Sequence, residues 1–304
     1  MKTYQKRYGK FYFSHYHKHT LLKNFPRLNL LQYVTRSHVV DPQYPGTVDD
    51  IINLGAFWET SALIEKRANI IDLTCRYKAC FENAYRYLAA AKKFRDDTTS
   101  IILGAVHYER LHKLTQRIIR KELKKNTDKE GTLKKRFLSG ITPYGIYSQF
   151  TALQAQNYKI YQLNDEYHIA SDMLREISRT AIQYGQTVYA CYCPFSPDTD
   201  IEHLILPELN LAFVTSNSYH PYSGTVFRTI NLNRYLEPEI IRLRRSRIRF
   251  NKKVLDSILE NAICGLYEAK RLHDKLEDCY TPHMHFQDIN ALTKNLLAQI
   301  NQMS

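Results

Sequence analysis

Residues 157–193 read NYKIYQLNDEYHIASDMLREISRTAIQYGQTVYACYC. The stretch opens on aromatic and aliphatic side chains over 157–163, which predicts a strand. Met173, Leu174, Ile177, Ala181 and Ile182 then fall at helical spacing and predict an amphipathic helix that Gly185 closes. Residues 188–193 predict a second strand. Further on, 209–215 (LNLAFVT) predict a third, nearly continuous in apolar side chains as a buried parallel strand is. Strand, helix, strand, strand in this order implies a parallel α/β layer.

The rest of the 304-residue chain narrows what that layer can do. Its ten glycines are scattered so that no two lie within four residues of each other, which excludes GxGxxG, and the pair five apart, Gly140 and Gly145, is followed by Ile146-Tyr147, which excludes GxxxxGK[ST]. Forty-three basic against thirty acidic residues give a net charge of +13, which favours encounter with polyanions. The basic, aromatic N-terminus lacks the apolar segment of a secretory signal, and no apolar run approaches the ~18 residues of a membrane span. The six cysteines are too sparse for a disulfide scaffold. These features predict a cytoplasmic protein without a membrane segment.

The chain also repeats itself. PRLNL at 26–30 returns as PELNL at 207–211, Ile52-Asn53-Leu54 as Ile230-Asn231-Leu232, and Ala91-Lys92-Lys93-Phe94 as Ala269-Lys270-Arg271-Leu272. Three anchors in one order at nearly constant offset imply two copies of one unit. Ile70, Leu73, Tyr77, Cys80, Ala84, Tyr87, Ala91 and Phe94 form the seam of a long helix. The second copy repeats it as Leu255, Ile258, Ala262, Gly265, Ala269 and Leu272, with Leu266 beside the glycine. The polar stretch 121–135 reads as a solvated linker, which places a boundary near residue 130. Residues 1–130 are then an eroded, mostly helical first repeat, and 131–304 an α/β layer followed by long helices.

Other candidate sites are less specific. Arg242, Arg244, Arg245, Arg247, Arg249, Lys252 and Lys253 form the densest basic run, and 242, 245, 249 and 252 share one helix face that could meet phosphates. The same run could equally be a solvated face, or one paired with acids from the first copy. His15, His17 and His19, the pair Cys191 and Cys193, and the group Cys279, His283 and His285 lack the spacing of a zinc site, so no metal is expected. No nucleophile motif frames the serines or cysteines. Glu202-His203 reads either as a functional strand end or as a surface turn before a buried strand.

Five segments resemble a known family: HVVDPQYPGTVDDIINLGAFW (38–58), AYRYLAAAKKFRDD (84–97), ITPYGIYS (141–148), PDTDIEHLILPELNLAFVTSN (197–217) and AKRLHDKLEDCYTPHMHF (269–286). They are similar to an uncharacterised bacterial family of duplicated P-loop ATPases of nucleotide-kinase-like type. The resemblance implies a P-loop-like parallel sheet, with a Walker A loop between the strand ending at Leu163 and the helix of Met173. This chain has Asn164, Asp165, Glu166, Tyr167, His168, Ile169, Ala170, Ser171 and Asp172 there. No glycine occurs from 146 to 184, and the one lysine, Lys159, precedes the loop. Converging amides need glycines, and the β/γ charge needs a lysine. The carboxylates of Asp165, Glu166 and Asp172 would repel a triphosphate, and Ser171 reads as a helix N-cap. The first copy leaves no room for such a loop.

The expectation is an α/β protein with large helical content, a degenerate P-loop-like sheet and an internal duplication. It would be non-catalytic, without a cofactor, and would bind a protein partner such as an intact family paralogue. The alternatives are an ATPase or nucleotide kinase with an atypical phosphate site, and a nucleic-acid binder using the basic run at 242–253.

Overall fold

The computed structural model describes residues 54–125 and 130–302. The repeat anchors at 26–30 and 52–53, His15, His17 and His19, and most of the segment 38–58 lie outside the described residues. Helix makes up 61% of the structure. In chain order the helices are α1 (Thr60–Glu65), α2 (Arg67–Leu103), α3 (Tyr108–Glu122), α4 (Thr151–Gln154), α5 (Ala170–Gln183), α6 (Pro238–Tyr280) and α7 (Phe286–Gln302). The strands are β1 (Leu133–Arg136), β2 (Ser139–Thr142), β3 (Gly145–Ser148), β4 (Lys159–Asn164), β5 (Val188–Tyr192), β6 (Ile201–Leu206), β7 (Leu211–Ser216) and β8 (Arg228–Asn231). The described residues group into two compact units: 87–263, and 54–86 with 264–302. Compactness and repetition are different properties, and these cuts concern only the first.

The first unit holds a six-stranded sheet in the order β1-β5-β6-β7-β4-β8. β1 pairs β5, and β4 pairs both β7 and β8, all in parallel. β6 runs antiparallel to both its neighbours, so the expected parallel layer is in fact mixed. The cause is local. Only Pro207-Glu208-Leu209-Asn210 separates β6 from β7, and so short a link joins antiparallel strands, whereas a parallel crossover needs a dozen or more residues. Asn210 completes the turn at φ 47°, a left-handed conformation that asparagine tolerates.

β5, β6 and β7 are buried along almost their whole length because both faces of the sheet are covered. Alternate residues enter opposite cores. Leu204, Leu206 and Phe213 join Met173, Leu174 and Ile177 of α5 and Leu114 and Ile118 of α3. Ile205, Ala212 and Val214 join Leu138 and Leu153 on the other face. α5 ends as its glycine predicts. Gly185, at φ 80°, donates to the Ile182 carbonyl at 2.9 Å, and Gln186 donates to that of Ala181 at 3.0 Å, the paired closure of a Schellman motif.

The stretch 121–135 is not wholly the solvated linker its composition suggests. Leu123 is buried, Gly131 donates to the Ile182 carbonyl, and 133–136 form the edge strand β1. A polar edge strand exposes its charges outward while its backbone pairs inward, and composition alone hides that pairing.

In the second unit Leu73, Leu272 and Cys279 make a small core with Ile70, Tyr77, Cys80, Leu276 and Tyr280. Gly265 permits close approach there, because a Cβ at that position would lie 3.3 Å from that of Ala84. Leu266 is buried beside it, as the seam requires. Trp58 packs edge-on against Tyr280 at 5.5 Å. Among the described residues no helix is long and apolar enough to cross a membrane.

Candidate functional site

The C-terminal ends of β4, β5 and β7 gather beside the start of β6, the end of an α/β sheet where ligands usually bind. Directly after β4 comes Asp165, 2% exposed. Its two carboxylate oxygens accept the amides of Ile169 (2.9 Å) and Ala170 (2.8 Å) at the N-terminus of α5. The first amides of a helix have no partner within it and attract anions. Here the protein's own carboxylate meets them. Burial raises the pKa of Asp165 above the ordinary value, while the amides of Ala170, Ile169 and Tyr167 work in the opposite direction. The loop closes through His168 at φ 61°, a left-handed conformation costing a residue with a Cβ about 1 kcal/mol or more.

The remaining loop residues point elsewhere. Glu166 accepts the amide and hydroxyl of Ser218, at 3.1 and 2.6 Å. Asp172 is exposed and pairs with Arg175 at 2.6 Å. Asp172 lies in the first turn of α5, but of the three acids only Asp165 accepts its terminal amides. Ser171 is not the N-cap that the sequence suggests, since its hydroxyl accepts the amide of Ile201 at 3.1 Å. Asn164 accepts from Gln162 at 2.8 Å, and Tyr167 packs against the core. A cavity of about 10 Å³ lies between Asp165, His168, Ser171, Cys193, Glu202 and Arg95, no larger than one water molecule. Arg95 Nε, Glu202 Oε2 and Thr215 Oγ1 line it without a hydrogen-bond partner, enough to hold such a water but far too tight for a triphosphate.

Beside the loop lies a buried ionic cluster that sequence reasoning missed. Glu202 and His203 belong to β6, and the reading of a surface turn there is corrected: Glu202 is 5% exposed and His203 fully buried. His220 Nε2 lies 2.9 Å from Glu202 Oε1, and His203 Nε2 lies 3.4 Å from Oε2. Asn217 shapes the 217–220 turn by accepting the amides of Tyr219 (2.9 Å) and His220 (3.2 Å). Arg95 of α2 is buried against Ser196 Oγ at 3.1 Å and Asp200 at 3.0 Å. The available sequence signal was a charged pair within an otherwise apolar segment, IEHLIL. Burying that pair on a central strand demands partners from distant residues, and spacing does not reveal them.

The cluster is not a hydrolytic triad. Ser139 Oγ lies 3.3 Å from His203 Nε2, but His203 Nδ1 accepts the amide of Thr215 at 3.1 Å. The neutral ring must then carry its proton on Nε2, facing the serine, and cannot take the serine's proton. Burial would raise the pKa of Glu202, yet the His203 and His220 imidazoles beside it outweigh this and hold it well below the carboxylate range. Burial also opposes charge on His220, but Glu202 prevails and its pKa is raised. In His203 burial prevails, and its pKa is lowered.

These shifts fix a pH dependence. His203 resists protonation in the fold, so its contribution to stability is lost as pH falls below about 6.5, where the unfolded chain takes up the proton. The His220 contribution is present below about 6.5 and lost as pH rises through its folded pKa. Replacing His203 with Asn should reduce the acid-side slope of unfolding free energy against pH, by at most about 1.4 kcal/mol per unit, the limit set by one proton. Urea titrations between pH 4.5 and 6 (roughly the window below the histidine pKa) read this directly, and an unchanged slope contradicts the assignment.

The basic run divides into paired and free cations. Arg242 pairs with Glu239 at 2.7 Å, and Arg247 makes a bidentate pair with Asp97 of α2. Lys252 bonds Ser218 Oγ at 3.2 Å and lies over the Tyr219 ring at 4.6 Å. Arg244, Arg245 and Arg249 are exposed and have no partner among the described residues. Among the described residues, neither Cys191 with Cys193 nor Cys279 with His283 and His285 forms a group that could share an ion, and His15, His17 and His19 lie outside them. The one group of metal-type ligands within reach of a common centre, among the described residues, is His273, Asp274 and Glu277. Cys191 and Cys193 are buried thiols whose pKa values burial pushes up to about 12. No protein-family model, curated protein or solved structure matches this chain.

Proposed function

We propose that this protein is a non-catalytic binding module on a degenerate P-loop-like scaffold, in which the Asp165 carboxylate takes the place of a bound phosphate. The single observation that carries the reading is the pair of hydrogen bonds from the Ile169 and Ala170 amides to Asp165. A phosphate would need those same amides, and it would bring its own charge against a buried carboxylate. The strand–loop–helix order and the five family-like segments support a common origin with duplicated P-loop ATPases, divided near residue 130. On this reading the retained scaffold serves a protein partner, such as an intact paralogue, and the protein works in the cytoplasm without a cofactor.

Equilibrium titration of the full chain with ATP and GTP in the presence of magnesium tests the proposal. The expected result is no saturable binding up to about 100 μM, equivalent to roughly −5.5 kcal/mol. A tighter site would instead favour an ATPase or nucleotide kinase with an atypical phosphate site.

A further inference from the structure

We infer that the outward stripe of α6 formed by Arg245, Arg249 and Lys253 binds a single-stranded nucleic acid. This inference does not depend on the reading of the 164–172 loop. Ile248, Asn251, Leu255 and Leu259 are the buried side of this stretch, and the three cations, spaced by four residues, form an exposed stripe that runs from beside that side at Arg245 to opposite it at Lys253. All three are exposed and have no partner among the described residues, whereas Arg242, Arg247 and Lys252 on the same helix are paired or stacked. From 238 to 253 the helix carries seven basic residues and one acid, Glu239. Charge left uncompensated on a rigid element is what a polyanion can neutralise, with release of counterions.

The stripe spans about 12 Å at a rise of ~1.5 Å per residue, the reach of a few consecutive phosphates. Its end is marked, because the shallow groove of about 400 Å³ that Arg249, Lys252 and Lys253 line continues into Asp256 and Glu260. Beside the cations stand Leu243, 78% exposed, and Phe250, 60% exposed, seven residues apart on one side of the helix. An exposed ring flanked by cations suits an unstacked base, which a duplex does not present. Two isolated apolar side chains are too few for the broad apolar face of a membrane-surface helix.

The test is fluorescence anisotropy of the full chain with a labelled oligouridine at several salt concentrations. The variant Arg245→Glu/Arg249→Glu/Lys253→Glu should weaken binding by at least about tenfold at low salt. It should also reduce the slope of log affinity against log salt by about 2, as expected for three phosphate contacts on a single strand. Phe250→Ala should weaken binding about fivefold or more while leaving the slope unchanged. Circular dichroism and the thermal midpoint should be unaltered in the triple variant, whose side chains have no partner among the described residues; if it is less stable, Arg245→Gln/Arg249→Gln serves as the reading instead. The Phe250 ring also meets Phe94 edge-on at 6.4 Å, so if Phe250→Ala lowers the midpoint, Phe250→Leu, which keeps apolar bulk without the ring, should weaken binding alike. Equal affinity of variant and parent overturns the inference, as does tighter binding to duplex RNA, to phosphatidylserine vesicles or to polyaspartate than to the single strand.

Discussion

Asp165→Ala is expected to lower the unfolding free energy by about 2–4 kcal/mol. The substitution leaves the Ile169 and Ala170 amides buried at a helix terminus without an acceptor, at about 1–3 kcal/mol for each unsatisfied donor. Loss of a capping side chain alone typically costs about 0.5–2 kcal/mol. Working against this is the desolvation of the carboxylate, which its raised pKa records. Removing a strained buried charge returns part of the loss, so the upper limit of the two-donor sum is not reached. Asp165→Asn should lie between parent and Ala, because one uncharged oxygen still accepts. Urea denaturation of the three proteins measures the order, and a parent-like Ala variant would show that the two hydrogen bonds contribute nothing.

Glu202→Leu is expected to be the more damaging change, at about 3–5 kcal/mol, because removing one member of a buried ion pair strands the other. The raised pKa of His220 relies on Glu202, and on the other side of the carboxylate His203 loses its neighbour. The double variant Glu202→Leu/His220→Leu separates the cost of the stranded partner from the worth of the pair. Since apolar replacements of a whole buried pair are often neutral, it should recover most of the loss. Glu202→Gln keeps the shape, and in an NMR titration it should move the His220 pKa downward. A His220 pKa unchanged in Glu202→Gln would mean that the carboxylate is not what raises it.

Much of the sheet could be read from the sequence. The strand at 157–163, the helix closed by Gly185, and the strands at 188–193 and 209–215 all occur, displaced by one or two residues. Long apolar runs and a well-placed glycine carry their own local cause. The strand β6 was not read at all: its place and direction depend on the four-residue turn to β7 and on the charged pair Glu202-His203 finding partners inside. The acidic loop was legible as a run of charge, but not the capture of the α5 amides by one of its carboxylates. Three acids look alike in sequence, and only the path of the chain through His168 sends Asp165 to the helix while Glu166 and Asp172 turn away. The basic run was visible at once. Which of its cations are free depends on Asp97, 150 residues earlier, and on the Tyr219 ring, and no spacing rule reaches that far.

The central claim, that a carboxylate of the chain stands in for an anion at the start of α5, is most directly tested by chemical rescue. Thermal unfolding of Asp165→Gly and of the parent would be followed in acetate and in phosphate, each against chloride at equal ionic strength. Glycine leaves the space of the missing acetyl-sized group, so binding of a small anion to the native state should raise the variant's midpoint with concentration, by mass action. The account predicts that the variant is stabilised by these anions and the parent is not. An equal response of the two proteins, or none in the variant, would contradict it.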